Sequence, residues 1–268
     1  MTFKRLAALF SLTIVISILA VGIFSIAVPV EKLALDEKKN SKEYFFNSSF
    51  GTDQIAYSIR NIENRAASFL GYNSDTIFLA LDFKKQEHAL TCEVAALRMA
   101  LNHLGVDVTE EELIEQLPFS ATAPRSPQNV WGDPQKGFVG NIDGSIFLGT
   151  GYGVYNKPIR DLASKFRTAE IMEDGSLEKI LEHAQNGRVV ITWGLLSSKY
   201  ATYWTTDEGN LIKAFPGEHA RIVIGYSGNI SNPTHVLLMD PLYGIVKMDT
   251  KRFVTEWEMV DKMAVVIY

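Results

Sequence analysis

The stretch LTCEVAALRMALNHLG, residues 90–105, decides how the rest of this chain is read. Within it Val94, Leu97, Leu101 and Leu104 recur every three or four residues. That spacing predicts an amphipathic helix from Cys92 to about Leu104. Gly105 is a natural stop, because a helix commonly ends on a residue with positive φ. The helix puts the chain's one cysteine in its first turn. Unpaired N–H groups and the helix dipole there favour an anion, so Cys92 is expected to be an acidified, nucleophilic thiol. The competing reading is a small buried hydrophobe, the usual fate of a free cysteine.

Downstream, Thr109 with Glu112 three residues later forms a capping box and opens a second helix through Leu117. Residues 118–153 are rich in Gly, Pro and Asn and read as a long loop, a feature often tied to function. Pro158 marks the first turn of a third helix over 159–166, and Ser176 caps a fourth over 177–185. From Val189 the pattern changes. VVITWG, RIVIGY, HVLLMD and AVVIY are short β-branched runs broken by Gly, Asn and Pro, the signature of strands. Helices first and strands afterwards make an α+β fold with an antiparallel sheet in its second half.

Upstream, the apolar run IFLALDF (77–83) begins the globular domain, which takes up 77–268. Residues 31–76 form a polar stalk with a helical patch over 54–70, where Ile55, Ile59, Ile62, Ala66 and Phe69 keep helical spacing. Residues 6–30 carry no charge, enough to span a bilayer as a helix. We therefore expect residues 1–30 to be a single-pass anchor, with the domain on the extracytoplasmic side. The alternative is a signal peptide cleaved near Ser25-Ile26-Ala27, which would leave the domain secreted. Lys4 and Arg5 favour a cytoplasmic N-terminus, and Lys32, Lys38, Lys39 and Lys42 weaken that preference.

Charge and cysteine count remove several function classes. A net charge of −5 over 268 residues gives no electrostatic case for binding nucleic acid. One cysteine permits no intrachain disulfide and no Cys-based zinc site. Asp133, Asp143 and Asp174 lack calcium-loop spacing, and GTGYG (149–153) lacks the setting of a phosphate loop. No metal or organic cofactor is implied.

A nucleophilic thiol needs a base. His103 lies on the Cys92 helix about 16 Å along its axis and is out of reach. His183 belongs to another amphipathic helix and reads as a surface residue. His88 is close in sequence but its loop offers no orienting partner. His219 and His235 each precede a strand-like run, where a sheet would hold an imidazole rigidly. Asp240, at the end of HVLLMD, suits the orienting carboxylate of a triad, and equally a turn-starting Asp before Pro241. Gln86, six residues before Cys92, suits an oxyanion donor beside the Cys92 N–H, or an ordinary loop residue.

Taken in order, Gln86, then LTCEVAALRMALNHLG, then GEHARIVIGY and LLMDP resemble the C39-like cysteine peptidases, which share a papain-like layout. The resemblance covers about 77–268. It implies Cys92 as nucleophile, His219 as base and then acid, Asp240 as orienter and Gln86 as oxyanion donor. The segments GDPQKGFVGN and GYGVYNKPI resemble that family's substrate-facing loop; Asp133 and Tyr152 within them, and Trp131 just before, are candidates for binding substrate, the two aromatics as residues that line a peptide cleft or else only pack core and loop. The implied activity is a thiol hydrolase acting on peptide or isopeptide bonds, its partner a peptide or protein. Departures from the pattern are Thr91 where the family often has Gly or Asp, and the lack of a Walker A lysine motif. The rival readings are a non-catalytic peptide- or wall-binding module on the same fold, and a membrane-anchored accessory protein.

Overall fold

The computed structural model describes residues 75–196 and 199–268. In chain order the elements are β1 (Asp75–Ile77), α1 (Cys92–His103), α2 (Glu110–Ile114), β2 (Phe119–Ala121), β3 (Phe138–Gly140), β4 (Gly151–Gly153) and α3 (Asn156–Ala163). They continue with β5 (Ala169–Ile171), α4 (Leu177–Gln185), β6 (Val189–Leu195), β7 (Thr202–Thr205), β8 (Leu211–Ala214) and β9 (Glu218–Asn229). The chain closes with β10 (Asn232–Asp240), β11 (Gly244–Asp249), α5 (Thr250–Met259) and β12 (Ala264–Ile267).

The main sheet runs β11-β10-β9-β6-β12-β5, with β1 also paired to β9, and every pairing is antiparallel. Both faces of its centre are covered, which is why its strands read as unbroken apolar runs. Successive side chains point to opposite faces. Ile222 and Ile224 of β9, with Ile191 and Trp193 of β6, join the core on the α1 side. Val223, between the two isoleucines, and Val190, just before Ile191, join a second core with Ile180 and Leu181 of α4 and Phe253 and Trp257 of α5. The sheet is therefore the middle layer of the α+β fold expected from sequence.

The Cys92 helix is buried much more than an amphipathic stripe requires. Every residue from Cys92 to Leu101 is buried, because α1 packs on β9 and β6 and also against α2 and α3. Residues 118–153 depart from the loop expectation. They carry β2, β3 and β4, which form a small three-stranded sheet. A satellite core of Trp131, Val139, Tyr152, Trp204 and Ala214 fixes them to the β7–β8 hairpin. α5 and this hairpin had no clear sequence signal. The run 77–83 is strand only as far as Ile77.

The expected anchor (1–30), the helical patch at 54–70 and the stalk up to residue 74 lie outside the described residues, while Asp75 and Thr76, expected at the end of the stalk, belong to β1 of the main sheet. Among the described residues no helix is long and apolar enough to cross a membrane.

Candidate active site

Cys92 begins α1, with Thr91 as its N-cap residue, and the packing of α1 on the sheet presses the thiol against β9. There the backbone N–H of Ala220 donates to Cys92 Sγ at 3.4 Å. Ala220 follows His219, so the tertiary fold closes 127 intervening positions in sequence and brings the thiol to the backbone next to His219.

His219 is 2% exposed and pairs across the sheet with Gly194 of β6. Its Nε2 stands 3.0 Å from Asp240 Oδ1, at the end of the neighbouring strand β10. Asp240 is 1% exposed. Its Oδ1 also accepts from the Leu242 N–H at 2.8 Å, and its Oδ2 accepts from Arg221 Nε at 2.9 Å. Arg221 is two residues beyond His219 on β9, hence on the same face. The Arg221 guanidinium also donates to the Leu195 carbonyl at 3.2 Å and lies 3.8 Å from Glu256.

The electrostatics follow from this packing. Burial alone would raise the Asp240 pKa, but His219, the Leu242 N–H and Arg221 outweigh it and hold the carboxyl at about 2. Burial lowers the pKa of His219 and Arg221 adds to the lowering, against the pull of Asp240. The site thus pairs a fixed carboxylate with an imidazole biased toward its neutral form.

Cys92 is where the electrostatics overturn the sequence expectation. The helix N-terminus is there, yet the thiol pKa is pushed up rather than down. Burial is the largest cause, followed by the negative charge of Glu93 and Glu218, and the Ala220 N–H only partly offsets them. Cys92 donates its S–H to Glu93 Oε2 at 3.2 Å. Glu93 is 0% exposed, and its Oε1 accepts from the Val154 N–H at 2.9 Å.

Gln86 is brought to the site by a brace. Its backbone N–H donates to the Pro241 carbonyl at 3.0 Å, one residue past Asp240. Thr91 Oγ1 donates to Glu110 Oε1 at 2.5 Å, and Arg98 lies between Glu87 and Glu110. The Gln86 amide faces its own loop. Nε2 donates to the His88 and Ala89 carbonyls at 2.7 and 3.1 Å, while Oε1 is buried without a partner. His88 does have an orienting partner, contrary to expectation: Nδ1 is 3.0 Å from Asp143, which ties this loop to residues 141–143.

Of the three candidate substrate residues, Tyr152 lies near Glu218, and Trp131 shares its satellite core. Trp131 and Tyr152 are 4% and 5% exposed within the satellite core, so they present little surface to a peptide. Trp131 Nε1 donates to the Ala123 carbonyl, and the Tyr152 hydroxyl meets that of Tyr155. Asp133 accepts from the Gln135 N–H in a turn. Sequence reasoning missed Glu93, Glu218 and Arg221. For Glu93 and Arg221 a signal existed, a charge inside an apolar run where burial demands a partner.

No cluster among the described residues could hold a metal ion. The model of the Peptidase C39 like family matches residues 78–265. The uncharacterised protein YvpB of Bacillus subtilis (strain 168) is 31% identical over 185 residues, 66% of this chain and 68% of its own. The crystal structure of a C39-like peptidase from Bacillus anthracis superposes with a TM-score of 0.62 at 27% identity, covering 73% of this chain and 98% of that one. With the fold, the length of the match and a curated relative in agreement, this chain belongs to the C39-like peptidase family.

Proposed function

We propose that the protein is a cysteine peptidase that hydrolyses peptide or isopeptide bonds, with Cys92, His219 and Asp240 as its triad. The supporting observation is the convergence of three elements: the Cys92 Sγ on the Ala220 N–H, His219 beside it, and Asp240 3.0 Å from His219 Nε2. With Nε2 toward Asp240, Nδ1 is the nitrogen left to take the thiol proton. The thiolate then attacks the substrate carbonyl and forms a C–S bond. The oxyanion is met by the Cys92 N–H and by Gln86, which exchanges a loop carbonyl for the substrate oxygen. Collapse breaks the C–N bond, and the imidazolium gives its proton to the leaving amine. Water, deprotonated by His219, cleaves the thioester and regenerates the thiol. The apolar stretch 6–30 anchors the domain on the outer side of the membrane, where its substrate is a peptide or protein.

One observation favours a second reading, a non-catalytic peptide-binding module. The Gln86 amide hydrogens are both engaged by loop carbonyls.

The test uses the full chain in detergent with a diverse peptide library, reading new termini by mass spectrometry. Cleavage by wild type that disappears in Cys92→Ala and His219→Ala is expected. Cleavage that survives Cys92→Ala, or binding with no cleavage by wild type, overturns the peptidase reading.

A further inference from the structure

Glu93 is a buried acid in direct contact with the nucleophile, and the triad does not use it. It stands in the first turn of α1, bonded through one oxygen to the Cys92 thiol and through the other to the Val154 N–H. A second acid faces it from β9. Glu218 keeps part of its residue surface in solvent, but its Oε1 is shut off from solvent without a hydrogen-bond partner. Both acids border Gly153. A Cβ built there would lie 2.7 Å from Glu93 Oε1 and 3.3 Å from Glu218 Oε2. Among the described residues neither acid forms an ion pair with a Lys, Arg or His. Two carboxylates so placed in a poorly solvated site do not ionise independently.

We infer that Glu93 is the resting acceptor of the Cys92 proton, and that the thiol is released to His219 only when the Glu93 carboxyl is itself protonated. Glu93 and Glu218 thereby set the reactivity of the nucleophile against pH. The inference deepens the thiol chemistry proposed above, but it concerns the free protein and needs no substrate.

The groups that face Glu93 support this. Cys92 bonds it from the same helix, Val154 from the turn before α3, and Glu110 repels it from α2. On β9 stand Glu218 and Ala220, with His219 and Arg221 beside them and Asp240 behind on β10. Tyr152 and Tyr155 lie near Glu218. Burial pushes Glu93 up to about 7, opposed by its bonds to Val154, its own N–H and Cys92. Burial, then the charge of Glu93, pushes Glu218 well up, and Arg221 opposes.

The consequence is a specific pH profile. The attacking species needs a neutral Glu93 and an ionised Cys92. Below the Glu93 pKa its population rises about tenfold per pH unit, as for any thiol. Above it, Glu93 loses a proton for each one Cys92 must lose. The reactive form is then a tautomer of the dominant form, and its population stops rising.

The experiment follows iodoacetamide alkylation of the full chain from about pH 5 to 9, together with thiolate absorbance near 240 nm. With one cysteine in the chain, alkylation reports Cys92 alone, and the absorbance is read as the difference from Cys92→Ser, which cancels the ten tyrosines. The wild-type rate is expected to level off near pH 7 while absorbance still shows a thiol. Glu93→Gln should keep climbing and exceed wild type by about tenfold one pH unit above the plateau. Should Glu93→Gln fail to fold, Glu110→Gln leaves the Glu93 bonds intact, and the loss of the like charge that raises Glu93 should move the plateau to lower pH. A wild-type rate that climbs tenfold per unit through pH 8, a plateau matched by full thiolate absorbance, or variants that superimpose on wild type each overturn the inference. Failure of the peptidase reading would show instead in the library assay, with these profiles untouched.

Discussion

Arg221 donates through Nε to Oδ2 of Asp240 at 2.9 Å, which leaves the other oxygen of that buried carboxylate for His219. The cation and the imidazole come from alternate positions of one strand, so β9 supplies both side chains that meet the Asp240 carboxylate. Removing one partner of a buried ion pair typically costs about 3–5 kcal/mol, because the remaining charge is stranded. Arg221→Met is expected to destabilise the domain by that order, read by urea denaturation at neutral pH. Unchanged stability would mean that Asp240 is held by the Leu242 N–H and His219 alone.

Two acids give the stability profile two opposite limbs. The Asp240 pKa is depressed from 3.8 to about 2, so its contribution is complete above pH 3.8 and is lost as pH falls through 2. The Glu93 pKa is raised from 4.5 to about 7, so folding favours its protonated form. Its contribution is complete below pH 4.5 and is lost as pH rises through 7. Glu93→Gln, permanently neutral, should therefore raise Tm relative to wild type at pH 8 more than at pH 4. An equal shift at both values would argue against a raised Glu93 pKa.

Gly153 has φ +146°, and a Cβ there would press on Glu93 Oε1. Gly153→Ala must displace the carboxylate from the Val154 N–H as well as strain the backbone, a loss on the order of 2–4 kcal/mol. Gly187→Ala is the control. It also has positive φ, at +76°, but meets nothing within 4 Å, so only a backbone cost of about 1–2 kcal/mol is expected. Comparable losses in the two variants would show that Glu93 yields freely.

Trp204 is fully buried in the satellite core, donates Nε1 to the Gly132 carbonyl at 2.7 Å, and packs edge-on against Trp131 and Tyr152. Trp204→Ala removes a side chain from a closed core, at a typical cost of about 3–5 kcal/mol. Limited proteolysis should then cut within 118–153 well before it cuts the main sheet. Resistance equal to wild type would mean that these residues are held by other contacts.

The sequence by itself determined the α+β order, the helix that begins at Cys92, and the ordered Cys, His and Asp positions. Each of these rests on local information. Helical spacing, the Thr109 capping box and β-branched runs are properties of neighbours in the chain, and the described elements α1, α2, α4, β6, β9, β10 and β12 follow them. The Gly- and Pro-rich stretch 118–153 misled for the same reason. Its order comes from Trp204, more than fifty residues on, which no local pattern reports.

Only the tertiary structure decided which way the Cys92 thiol is biased. A helix N-terminus favours a thiolate, and sequence shows the helix; burial and the carboxylates of Glu93 and Glu218 favour the thiol, and only packing shows them. Glu93 was visible beside Cys92 in the sequence, but with no sign that its face would be sealed. Glu218 is 125 positions further along than Glu93 and meets it only because α1 lies across β9 at Gly153. The energy of a charge depends on its surroundings in space, and here those surroundings are assembled from segments far apart in the chain.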